Sequence, residues 1–241
     1  MTDRYFRKTA IIVGALFIIA TASSIASIPF LGTDLDETDY VLGLPNIEND
    51  VVIAAMLMTI LAISLIGIGA LMFPVLREHT EGLGMAYAGF RLVEAIFITF
   101  STVCLLGMLS IGQDYAAGLL DESSAISMGE LLSTLRDWSL LFGTVIFLGL
   151  GCLTLNYLLY RSMLVPRWLS IFGLIGGVGI LMYGVMGLFG TETSSFDATS
   201  LLAAPIAVQE MVFAFWLIIK GFNRPTNVKE GAAAKGWVND V

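Results

Sequence analysis

Tyr87-Ala88-Gly89-Phe90-Arg91-Leu92-Val93-Glu94 lies inside an apolar run, residues 83–111, that is long enough to cross a bilayer. Arg91 and Glu94 are three residues apart, so they share one face of a helix and can pair along it. Charge at that depth in lipid is costly, which turns the face toward the protein interior and demands a partner. One other run holds a charge comparably deep, at Gln209-Glu210 near the C-terminus. The fold follows from how many such runs there are, and the candidate site from how these charges meet.

Of the 241 residues, 57% are apolar and 13% charged. Soluble domains carry about 25% charged residues, so the balance points to an all-α polytopic membrane protein. Six apolar segments, about 20 residues or more each, can cross a core of about 30 Å: residues 9–31, 51–75, 83–111, 138–160, 168–189 and 200–220. No alternation of period two suits a transmembrane barrel, which leaves helices as the way to satisfy the backbone. Residues 1–222 are thus expected to form a six-transmembrane-helix bundle, and 223–241, with no apolar face, a mobile tail. The first segment is expected to stay uncleaved, because its apolar run continues past Ala22-Ser23-Ser24 to Leu31.

Basic residues give the orientation. Arg4, Arg7, Lys8, Arg77, Arg161, Arg167, Lys220, Arg224, Lys229 and Lys235 fall on one side, and the loops of the other side hold only Arg136. The positive-inside rule places both termini in the cytoplasm, with the chain in the inner membrane. The opposite loops are acidic, with Asp34, Asp36, Glu37, Asp39, Glu48 and Asp50 in the first and Asp114, Asp121, Glu122, Glu130 and Asp137 in the second. These acids lack the spacing of a calcium loop and read as solvated surface. Ser127-Met128-Gly129-Glu130 has the form of a capping box, so the fourth helix is expected to start before Trp138 and project outward by about two to three turns.

Scattered Lys and Arg, 12 in all, give no nucleic-acid footprint. A single histidine, His79, rules out a bis-His haem or a poly-His metal site within the chain. Cys104 and Cys152 sit near opposite faces of the bilayer and read as small buried apolar residues. No HExxH site, phosphate-cradling loop or dinucleotide fingerprint is present, and no cofactor or metal is implied. The fifth helix carries Gly173, Gly176, Gly177, Gly179, Gly184 and Gly187, whose spacing permits close helix contact within the bundle or with a second copy in a homo-oligomer.

Rise per residue puts Glu94 about 16 Å along the third helix from Leu83, and Glu210 about 15 Å along the sixth from Ser200. Those helices run oppositely, so both carboxyls land near the midplane. Tyr87, Arg91, Glu94, Ile98 and Ser101 share a face, and Asn156 on the fourth helix lies at the level of Tyr87. On the sixth helix, Ala203, Ala207 and Ala214 should give Glu210 a narrow face, with Pro205 permitting a kink. Two acids and one base leave an excess negative charge if all ionise. Arg91 is therefore expected to pair with one Glu, while the other is neutral or meets a cation or polar ligand.

Three readings stay open. The charges can lock helix register in a structural or accessory subunit. They can form a site for a small polar ligand or an ion, for handling or sensing. They can serve an intramembrane enzyme, for which no nucleophile or metal ligand stands beside them in the sequence. The candidate binding residues are Arg91, Glu94 and Glu210, with Tyr87, Ser101 and Asn156 as second-tier members.

The run Gly89-Phe90-Arg91-Leu92-Val93-Glu94-Ala95 resembles the third-helix signature of the bacterial and archaeal domain-of-unknown-function 4386 proteins. Val165-Pro166-Arg167-Trp168-Leu169-Ser170, followed by Phe172-Gly173, resembles that family's approach to the next helix. The likeness spans about residues 7–222. It implies a multi-pass membrane protein and brings no activity, substrate or catalytic residue with it.

Overall fold

A computed structural model describes residues 3–31, 40–189, 202 and 204–223. The tail beyond Asn223 and the acids Asp34, Asp36, Glu37 and Asp39 lie outside the described residues. Among those described, every regular element is helical. The long helices are α1 (Asp3–Ser27), α2 (Glu48–Leu76), α3 (Glu81–Ala116), α4 (Glu122–Ser162), α5 (Arg167–Leu188) and α6 (Ala204–Ile219). Five of them are long and apolar enough to span a membrane. The sixth, α6, is apolar but has 16 residues, about 24 Å, so it is shorter than the run 200–220 promised.

Each helix packs on its neighbours in sequence, and α6 returns to pack on α1. The six therefore close into a ring, with α6 seated between α5 and α1. The main core fills its middle, from Phe17 on α1 through Ile68 on α2, Ile98 on α3 and Leu155 on α4 to Phe213 on α6. Apolar side chains also cover the outside. On α5, Trp168, Ile171, Ile175, Val178, Met182 and Val185 are exposed at steps of three and four, a lipid-facing stripe by composition. Its glycines face inward. A Cβ on Gly173 would strike Asn156, on Gly176 the backbone of Ile206, on Gly177 Leu153, on Gly179 the Leu202 carbonyl and on Gly184 Val145. Five of the six are thus occupied within the chain, which leaves the outward stripe as the face of α5 open to lipid or to a second copy.

One end of the ring is basic. Arg7 donates to the carbonyls of Leu217, Ile218 and Ile219 (Nη2 to Ile218 at 2.8 Å), satisfying the open C-terminus of α6 with a cation. Asn223 binds Leu164 and Met163 between α4 and α5, closing the same end. At the acidic end a second core gathers under the short helical segment Tyr40–Gly43 and the 3-10 turn Leu44–Ile47. Val41 sits in a notch made by two glycines: a Cβ on Gly112 would strike the Val41 carbonyl, and one on Gly129 would lie 2.7 Å from Val41 Cβ.

Helices α4 and α6 correct several sequence expectations. Helix α4 starts at Glu122, more than four turns before Trp138, and its cap is Asp121 rather than Ser127. The Asp121 carboxylate accepts from the Ser124 amide at 2.9 Å and the Ser124 hydroxyl at 2.8 Å. Midway, residues Leu141–Phe147 form π-helical turns before the α-helix resumes at Leu148. On α6, Pro205 is the second helical residue, where its missing N–H costs nothing, so it introduces no kink. Of the three alanines expected to narrow the face of α6, Ala203 lies outside the described residues, Ala207 is exposed, and Ala214 makes the close contact, against Gly14 of α1.

The cap on α4 has a definite pH sign. Both Ser124 donors favour the ionised carboxyl and hold Asp121 below its ordinary value of 3.8. A lowered folded value stabilises above the unfolded one and is lost as pH falls through the folded one. Asp121→Ala is expected to speed amide exchange at Ser124 and Ala125 at neutral pH, with the difference from wild type vanishing in strong acid. A difference that persisted there would show that the carboxylate is not the cap.

Candidate functional site

Helix α3 buries one polar face. Tyr87 is wholly buried, Arg91 2% exposed, Glu94 4% and Ser101 1%, as the helical spacing predicts. Gly69 of α2 permits this closeness, since a Cβ there would lie 3.2 Å from Arg91 Cβ. The guanidinium uses all three of its nitrogens. Nε donates to Tyr87 Oη at 3.2 Å, Nη1 to Glu94 Oε2 at 2.9 Å and Nη2 to Glu210 Oε1 at 2.6 Å. The rings of Phe17 and Tyr87 take its faces at 5.3 and 5.7 Å. Phe17 is itself fixed edge-on to Phe213, whose ring centroid is 5.6 Å away.

This arrangement differs from the expected one. Arg91 pairs with both carboxylates, not one, because ring closure brings α6 within reach of a long side chain from α3. Ionised throughout, the cluster carries one excess negative charge. The two acids also differ in position. Glu94 is fixed on the same helix as Arg91 with its side chain 5% exposed, whereas Glu210 reaches across from α6 and is 18% exposed.

Asn156 belongs to a neighbouring cluster. Its Nδ2 donates to the Cys152 carbonyl at 2.9 Å and contacts Cys152 Sγ at 3.2 Å, while its Oδ1 accepts from Gln209 Nε2 at 3.2 Å. Cys152 Sγ in turn donates to the Gly173 carbonyl at 3.2 Å. Gln209, 2% exposed and adjacent to Glu210, is therefore the link between this cluster and the charges. Ser101 lies two turns beyond Glu94 and has no hydrogen-bond partner. Among the described residues no three His, Cys, Asp or Glu converge on a point that could hold a metal.

Three contributors escape a reading of the sequence. Gln209 is visible beside Glu210, but nothing in the chain names its partner. Phe17 carries no signal among fifteen phenylalanines. The π turns of α4 lie directly against Glu94, where Gly143 would place a Cβ 3.3 Å from the Glu94 carbonyl. Phe142 and Phe147, five apart, stack on Phe97 at 5.9 and 5.8 Å, and that i, i+5 spacing is the one available hint. A cleft of about 290 Å³ lined by Thr134, Asp137, Trp138, Leu141 and Gly187 opens near the acidic end and is not lined by the charged cluster.

Long apolar helices with apolar outward faces around a buried ionic cluster are the makeup of a multi-pass membrane protein. The family described as Domain of unknown function (DUF4386) matches residues 12–221, and the chain belongs to that family. No curated protein and no solved structure matches it.

Proposed function

We propose that this is a six-span inner-membrane protein, both termini cytoplasmic, that handles or senses a small ligand or ion at the Arg91–Glu94–Glu210 cluster. The orientation is supported by the gathering of Arg7, Arg161, Arg167 and Lys220 at one end and of acids at the other. The function rests on one observation: a single buried guanidinium faces two carboxylates, one of them on a different helix and the more exposed. A buried cluster one charge out of balance is a binding site for whatever restores the balance. The second reading, a lock on helix packing, is favoured by the full engagement of Arg91, which leaves no donor nitrogen idle.

Glu210→Gln separates the two. Gln keeps the shape and the acceptor for Arg91 Nη2 but removes the excess charge. The thermal midpoint of purified wild type in detergent is expected to move with pH or with the monovalent cation in the buffer. That of the variant is expected to stay level under the same changes. If both proteins respond alike, the charges only lock packing and the ligand reading fails.

A further inference from the structure

The ligand that fits this site best is the smallest cation, and the buried polar atoms around it point the same way. Three side-chain atoms among the described residues are buried with no hydrogen-bond partner: Ser101 Oγ, Ser170 Oγ and Trp216 Nε1. They are not scattered. Ser101 stands two turns from Glu94 toward the acidic end, on the same face of α3. Ser170 is in the first turn of α5, three residues before the Gly173 that abuts Asn156, and Trp216 is two turns below Gln209 on α6, both toward the basic end. Buried polar atoms without protein partners are ordinarily satisfied by internal water. Water at these places would bracket the charged cluster on both sides. Asn156 and Gln209 continue the lower line to the residue next to Glu210.

We infer that Glu94 and Glu210 hold one exchangeable proton between them, balanced by Arg91 and reached through water along this polar line. This deepens the reading of the cluster as a ligand site and rests on it. The charge count fixes the number: two carboxylates against one guanidinium need one proton, taken from hydronium with release of water. A divalent cation would overshoot to a net positive cluster, and an anion would worsen the excess. The ionisable groups within electrostatic reach are Arg91, Tyr87, the other carboxyl and Cys152. From α1 and α2 the cluster meets Phe17 and Gly69 instead, and the α5 glycines abut Asn156, Ile206, Leu153, Leu202 and Val145, none of them ionisable.

The count gives a result that a proton bound to one carboxyl alone would not. Infrared spectra of the purified full chain in detergent are expected to show one buried protonated-carboxyl band per chain, shifting on transfer to D₂O. Glu94→Gln and Glu210→Gln are each expected to lose it completely, because the surviving carboxylate is then matched by Arg91 and stays ionised. Survival of the band in either variant, or its absence from wild type, overturns the shared proton. If wild type lacks the band but sodium, potassium or lithium raises its melting temperature and Glu210→Gln abolishes that response, the site stands and its ligand is a metal cation. If neither signal appears, the ligand reading fails with the proton. Should one Gln variant not remain folded, wild type and the other variant decide.

Discussion

Arg91→Met is expected to be the most damaging single substitution in the chain, costing about 3–5 kcal/mol, the range for breaking a buried ion pair from one side. Methionine fills much of the volume and keeps contact with Phe17, so the loss reports charge rather than a cavity. It strands Glu94 and Glu210 together in the bundle and leaves Tyr87 Oη without its donor. Unfolding in detergent read by circular dichroism measures it, and a cost under about 1 kcal/mol would contradict a tightly coupled cluster. A triple variant combining Arg91→Met, Glu94→Leu and Glu210→Leu supplies the interpretation. Replacing a whole buried ionic group by apolar side chains is often neutral or stabilising. Recovery of stability in that variant would show that the charges are kept for a reason other than holding the fold.

Gly112→Val is expected to be the second most damaging, for steric reasons alone. The new side chain would press on the Val41 carbonyl and on the ring of Pro45, where Cδ stands 2.9 Å from a built Cβ. A flexible side chain could swing aside, but a carbonyl in a helical segment and a proline ring cannot. The cost is expected at the upper end of the roughly 1–3 kcal/mol of core overpacking. It should appear as lost amide protection across residues 40–47 together with a lower melting temperature. Gly82→Ala is the control, because nothing lies within 4 Å of a Cβ there. If the two variants melt alike, the acidic-end segment is not seated in its notch as described.

Much of this architecture is legible in the chain because lipid leaves the backbone few options. Apolar run length marks the long helices, and the 3.6-residue period puts Tyr87, Arg91, Glu94 and Ser101 on one inward face. What stays hidden depends on contacts between helices. That Arg91 grips both carboxylates follows from α6 closing the ring, which no periodicity announces. Rise per residue gives Asn156 its depth but not its partners, Cys152 and Gln209, because level along the membrane says nothing about angle around the ring. The capping box announces that α4 starts before Trp138, but its extension back to Glu122 is hidden for a related reason. Glu122-Ser123-Ser124 carries no apolar pattern, and its first turns are held by Asp121 and by Ala125 packing under Val41. The π turns are set by the fit of Gly143 and the two phenylalanines against α3, a tertiary demand that local propensity does not carry.

The closed ring also orders the events of assembly. A chain emerges from its N-terminus, so α3 is available to the bilayer long before α6. Arg91 need not wait unneutralised, since Glu94 is one turn away on its own helix and can accompany it into lipid as a pair. The last helix then delivers Glu210 as a second carboxylate on Arg91, and with it the cluster's excess negative charge. On the six-span, ligand-binding reading proposed above, insertion of α6 is thus the step that completes the bundle and also the step at which its interior first requires a cation. On that reading the newborn protein acquires its shape and its need for a ligand in the same movement.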